Sequence, residues 1–146
     1  MIIGVLTDGY GEAMAAQLRR VQERKPDEDR YAVFSVGTGY VQCLADVEDK
    51  TMYCEAASDD AVGPPLNLIL TPERKQNLIK AGFRPPGQSM NYARYYSFKD
   101  YDSRRLACAL LAILHDAYGD QGAPELMLST ETEPGNQPLL VGTKKP

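Results

Sequence analysis

The 146-residue chain carries 16 Lys and Arg against 20 Asp and Glu, a formal charge of −4 at neutral pH, and 43% hydrophobic residues. That length suits one domain with a real core, and an acid excess without a long basic run argues against a nucleic-acid partner. No apolar run is long enough to cross a bilayer, and no signal peptide is visible, because Asp8 interrupts the apolar Met1–Leu6 start and no basic residue precedes it.

In chain order, Ile2–Leu6 reads as a short strand or apolar arm, broken by Asp8 and Gly9. A helix is expected from Glu12 to Arg24, with Met14, Leu18 and Val21 as a narrow apolar stripe and Gln17, Arg19, Arg20, Gln22 and Glu23 facing water. Lys25-Pro26-Asp27 stops it, since a proline disfavours helical geometry in the residue before it. Tyr31–Val36 is rich in strand formers, and Gly37-Thr38-Gly39 signals a three-residue hairpin into Tyr40–Val47. A Glu48-Asp49 turn then leads to Lys50–Ala57, placing Val47 opposite Lys50 and Cys43 opposite Cys54. In that register one face carries Val41, Cys43, Ala45, Met52, Cys54 and Ala56, small and apolar throughout. The other carries Tyr40, Gln42, Leu44, Asp46, Thr51, Tyr53 and Glu55. A slip of one residue would mix the two sets, so the pattern selects this pairing.

Ser58–Pro65 reads as a polar loop, and Leu66–Leu70 leads into a well-capped middle helix. Thr71 is its N-cap, Pro72 suits the first helical position, and Glu73 complements the helix dipole. Gly82 ends it in a left-handed turn and Phe83 supplies the closing apolar contact. After the Pro85-Pro86-Gly87 loop, Tyr92–Phe98 is extended and aromatic. Asp102 or Ser103 caps a last helix that runs through Tyr118 to Gly119 and is apolar nearly all round, so it must be buried on all sides or shared with a second copy. Glu125–Thr130 can add an edge strand, and residues 131–146 read as a loose tail. The sum is an α+β fold in α-β-β-β-α-β-α order, an antiparallel sheet with helices packed on one face.

No catalytic constellation emerges, and no cofactor or metal is expected. Asp102, Ser103 and His115 are the right types for acid–base chemistry, but His115 lies more than three turns along the same helix from Asp102. A cation at a helix C-terminus explains His115 better. Asp27-Glu28-Asp29 and Asp59-Asp60 lack the ligand spacing of a calcium loop, and three cysteines with one histidine do not make a zinc site. In the reducing cytoplasm, the expected compartment, Cys43 and Cys54 are expected as free core thiols.

The runs YVQCLADVEDKTMYCEAAS and LTPERKQNLIKAGFRPPGQSMNYARYY, the helix ending HDAYG and the segment APELMLS together resemble bacterial chaperone-like proteins related to the class I type III secretion chaperones. The matching positions are Tyr40, Val41 and Gln42, then Leu70, Thr71, Glu73, Leu78, Gly82, Phe83, Pro86 and Asn91. The chain is expected to form one chaperone-like domain over residues 1–130 whose N-terminal apolar arm departs from the family pattern, and the resemblance, which covers about residues 31–130, implies a homodimer and non-catalytic binding of an extended protein or peptide client. On that reading the partner-binding surface is Tyr40, Gln42, Leu44, Tyr53, Tyr92 and Tyr95, and the dimer contact uses Leu78, Phe83 and Tyr96. A client could enter pockets on the sheet or add a strand to its edge. A small acidic chain without catalytic groups also fits an immunity protein that neutralises one cognate toxin by tight binding.

Overall fold

The computed structural model describes residues 2–23, 30–46, 48–87, 90–119, 126–130 and 137–138. Helix α1 spans Ile2–Gln22, so the expected strand or arm at Ile2–Leu6 is helical and Asp8-Gly9 does not break it. A glycine inside a helix costs only about 1 kcal/mol relative to alanine, and packing on a neighbouring helix outweighs that. Met14, Leu18 and Val21 are fully buried as expected. Gln17 is buried as well, against expectation. It stands three residues after Met14 and four before Val21, which places it on the same stripe. The Lys25-Pro26-Asp27 stop lies outside the described residues.

Strands β1 (Tyr31–Val36), β2 (Gly39–Asp46) and β3 (Thr51–Ala56) follow, then the one-turn helices α2 (Asp59–Val62) and α3 (Leu66–Ile69), helix α4 (Pro72–Lys80), β4 (Tyr92–Ser97), helix α5 (Ser103–Tyr118), β5 (Leu126–Thr130) and β6 (Gln137–Pro138). The α+β reading holds: one antiparallel sheet, in the order β4-β3-β2-β1-β5-β6. β5 is flanked by β6, so among the described residues it is not the edge. Ser58–Pro65 is not all loop, because the Ser58 hydroxyl accepts from the Ala61 N–H and caps α2.

The β2–β3 register is the expected one, with Cys43 opposite Cys54. Their ladder ends at Asp46 opposite Thr51, and Val47 lies outside the described residues. The β1–β2 connection differs: Val36 pairs with Gly39, so the loop is the two residues Gly37-Thr38. Gly37 takes φ +59° while Thr38 keeps an ordinary φ, the pattern of a type II′ turn matched to strand twist. That change inverts the faces of β1. Ala32, Phe34 and Val36 join the buried set, and Tyr31, Val33 and Ser35 join the other.

Cys43 and Cys54 are joined as a disulfide, which corrects the expectation of free thiols. The Ala57 N–H to Tyr40 carbonyl bond fixes the ladder's phase, so these two residues form a non-hydrogen-bonded pair, with Cα atoms 4.2 Å apart. Such pairs bring side chains closest together. The expectation rested on compartment; register decides the contact.

The middle helix ends as its sequence indicates. Gly82, at φ +95°, donates to the Ile79 carbonyl (2.9 Å) and Phe83 donates to Leu78 (3.1 Å), the paired bonds of a Schellman motif. Asp102 caps α5, its carboxylate accepting from Arg105 N–H at 2.8 Å. α5 packs on α1, α4 and β2, and the apolar content that suggested a partner is buried largely inside this chain. Its last residue, Tyr118, lies across Gly39, where any Cβ would fall within the ring, and its hydroxyl donates to the buried Ala57 carbonyl at 2.6 Å. The helices thus lock onto one side of the sheet.

Candidate functional site

Alternation along antiparallel strands sends one set of side chains to the helices and the other to the opposite face. Val41, Cys43, Met52, Cys54 and Ala56 are fully buried on the helix side. On the other side no helix packs among the described residues. There, strand pairing aligns four large side chains in one row. Tyr95 on β4 faces Tyr53 on β3, Tyr53 faces Leu44 on β2, and Leu44 faces Tyr31 on β1. The row crosses three inter-strand steps, about 14 Å. Leu44 is 42% and Tyr95 59% exposed, large hydrophobic side chains left open on this face. The Tyr53 and Tyr95 rings are tilted against each other with centroids 4.9 Å apart.

A polar network holds one side of the row in place. Asn91, itself buried, accepts the Ser58 N–H (3.0 Å) and donates to both the Tyr40 hydroxyl and the Glu55 carboxylate, each at 3.1 Å. The Tyr53 hydroxyl donates to the second Glu55 oxygen at 2.9 Å. One side chain therefore ties the Ser58 loop to two strands and orients Tyr40 and, through Glu55, Tyr53. Asp46 and Glu55 are the ionisable carboxylates that the strands present here, and Arg84, bridged to Ala93 opposite Glu55, stands at the β4 edge of the same face.

Of the residues singled out from sequence, Tyr40, Gln42, Leu44, Tyr53 and Tyr95 share this face. Tyr92 does not. It pairs with Ala56, sits on the helix side and is buried, because it is separated from Tyr95 by an odd number of residues. Leu78, Phe83 and Tyr96 are at most 2% exposed and form part of the chain's own core. Sequence reasoning missed Tyr31, Val33 and Met127 on the open face; Gly37 as the first residue of a two-residue hairpin was the signal that could have found them.

Among the described residues, the β4 edge is largely occupied and the β5 edge in part. On β4, Ala93 exchanges both backbone bonds with Arg84 (2.8 and 3.1 Å), the Ser97 carbonyl accepts from Tyr101 N–H (2.9 Å), and the Tyr95 carbonyl accepts from Arg94 Nε (3.3 Å). β6 covers the outer edge of β5 at Met127 and Leu128. An added strand would find few free groups on β4 among the described residues. The acid–base candidates serve local structure: Asp102 is a helix cap, Ser103 is buried, and His115 pairs with Asp116 at 2.9 Å. Asp59 of the acidic pair holds Lys75 at 3.1 Å, and that bond raises the lysine pKa. Among the described residues no group of three or more His, Cys, Asp or Glu is placed to hold a metal, and no helix is long and apolar enough to cross a membrane.

No match was found among curated proteins or among solved structures. A family model, TY-Chap3, described as T3SS (YopN, CesT) and YbjN peptide-binding chaperone 3, matches residues 8–132. That span runs from within α1 through β5 and so includes the whole aromatic row. The chain belongs to the TY-Chap3 family of peptide-binding chaperones.

Proposed function

We propose that this protein is a non-catalytic binding module that holds an extended protein or peptide segment on the open face of its sheet. The observation that carries this reading is the Tyr95-Tyr53-Leu44-Tyr31 row, apolar and uncovered by helix among the described residues. Membership of a peptide-binding chaperone family supports a peptide client. The occupied β4 edge, which borders the Tyr95 end of the row, favours docking of side chains onto the face over strand addition there.

Binding on such a surface draws on burial of Tyr and Leu, each contributing about 1.5–3 kcal/mol when fully covered, offset by the cost of ordering the segment. Tyrosines suit this because they present a large contact area with few rotatable bonds. Asp46 and Glu55 on the face suit a client that places Lys or Arg among its apolar residues, with cation–π contact to the exposed Tyr95 ring as an added attraction. The test is affinity capture from the native host with the wild-type chain and with Leu44→Asp. The expected result is an unstructured client segment retained by the wild type and lost by the variant, with the melting temperature unchanged. Equal recovery of one folded toxin domain by both proteins would instead support an immunity role and overturn this reading.

A further inference from the structure

On the helix side, away from the aromatic row, α4, α5 and β4 enclose a half-open cavity of about 240 Å³. Leu78, Tyr96, Ile113 and Ala117, all buried, form its floor, and Ala81, Ala109 and Ala112 on the two facing helices make the space by being small. Two polar features mark its wall. The Tyr96 hydroxyl, on a residue only 2% exposed, has no hydrogen-bond partner among the described residues. Native folds rarely leave such a group unpaired, and each instance calls for a reason.

The second feature is Arg94. Its Nη1 donates to the Ala81 carbonyl (2.6 Å) and its Nε to Tyr95, while the guanidinium lies over the Tyr96 ring with Cζ 4.1 Å from the centroid. Among the described residues no carboxylate pairs with it and Nη2 makes no hydrogen bond to protein. The group is nonetheless held in place, because Gly82 leaves room for it where a Cβ would approach Nη1 to 2.6 Å. A fixed guanidinium with free donors beside an apolar hole is the arrangement that recognises a carboxylate attached to a hydrocarbon body. The other charged group in the wall, Asp116, is half exposed and already paired with His115.

The geometry points to this cavity as a binding site for a small organic carboxylate, its alkyl or aryl body between α4 and α5 and its carboxylate on Arg94. The volume exceeds the roughly 150 Å³ that accepts benzene in an engineered apolar cavity and is below that of drug-sized sites, so a benzoate- or hexanoate-sized ligand fits. The site is independent of peptide binding on the opposite face.

The test is a heteronuclear NMR titration of the full chain with hexanoate, with hexylamine as the charge-reversed control. Saturable shifts of the Ala81, Tyr101, Ala109 and Ala112 amides are expected, with hexanoate at least tenfold tighter than hexylamine. Ala112→Leu, which fills the space from a half-exposed helix position, should abolish them, and Arg94→Gln should remove the preference for the acid. Absence of saturable shifts up to about 10 mM (a binding free energy of only about 3 kcal/mol), equal affinity for both probes, or unchanged binding by Ala112→Leu overturns the assignment.

Discussion

Two buried tyrosines should respond in opposite directions to loss of the same atom. The Tyr118 hydroxyl donates to the Ala57 carbonyl at 2.6 Å, whereas the Tyr96 hydroxyl has no partner among the described residues. Leaving a buried polar group unpaired costs about 1–3 kcal/mol. Tyr96→Phe removes that cost and should stabilise the fold by about 1 kcal/mol, or roughly 3 °C in Tm for a domain of this size. Tyr118→Phe strands the Ala57 carbonyl and should destabilise by about 1–3 kcal/mol. A pH arm sharpens the contrast. Burial pushes the Tyr96 pKa up to about 12, with the neighbouring Arg94 opposing the shift. The folded state therefore keeps a proton that the unfolded state releases near pH 10. The associated stability is complete below pH 10 and is lost as pH climbs through about 12, a change of about 3 kcal/mol. Urea titrations at pH 7, 10 and 11.5 read both effects, and the Phe variant should show a shallower alkaline loss than the wild type. Destabilisation by Tyr96→Phe at pH 7, or an unchanged alkaline slope, would refute the reasoning.

Other consequences follow from single contacts. Asn91→Ala deletes three hydrogen bonds and leaves the Ser58 N–H without an acceptor, so urea denaturation should show a loss of about 2–4 kcal/mol with an unchanged m-value. Gly39→Ala drives a methyl group into the Tyr118 ring and should cost at least about 1–3 kcal/mol by thermal melting. Tyr95→Ala, by contrast, trims a side chain that is 59% exposed, and should shift Tm little while weakening client binding by about tenfold or more in a direct binding assay.

The parts legible in the sequence are those that local chemistry dictates. Thr71, Pro72, Gly82 and Phe83 specify both ends of α4, and Asp102 and Gly119 bracket α5. The alternation from Tyr40 to Ala57 admits one register, which is why the open face of β2 and β3 was readable. The errors occur where a weak local signal competes with tertiary packing. Gly9 suggests a break, yet the helix around it gains more from its seam with α5. Gly37-Thr38-Gly39 fits a two- or three-residue loop equally well as composition, and the choice decides which half of β1 faces outward. Tyr92 was grouped with Tyr95 on the binding surface, though strand alternation sends positions three apart to opposite sides. The Arg94–Tyr96 cavity was invisible because it joins residues from three elements that no sequence spacing links.

The central claim is that a client lies on the sheet face opposite the helices. Site-specific photo-crosslinking in the native host tests it most directly, with the photoreactive residue placed in turn at Gln42, Leu44 and Tyr95 on the open face and at Arg104 and Cys108 on the exposed side of α5. The account predicts adducts from the three sheet positions, converging by mass spectrometry on one unstructured client segment, with none from α5. Adducts confined to the helix side, with the sheet positions silent, would contradict it.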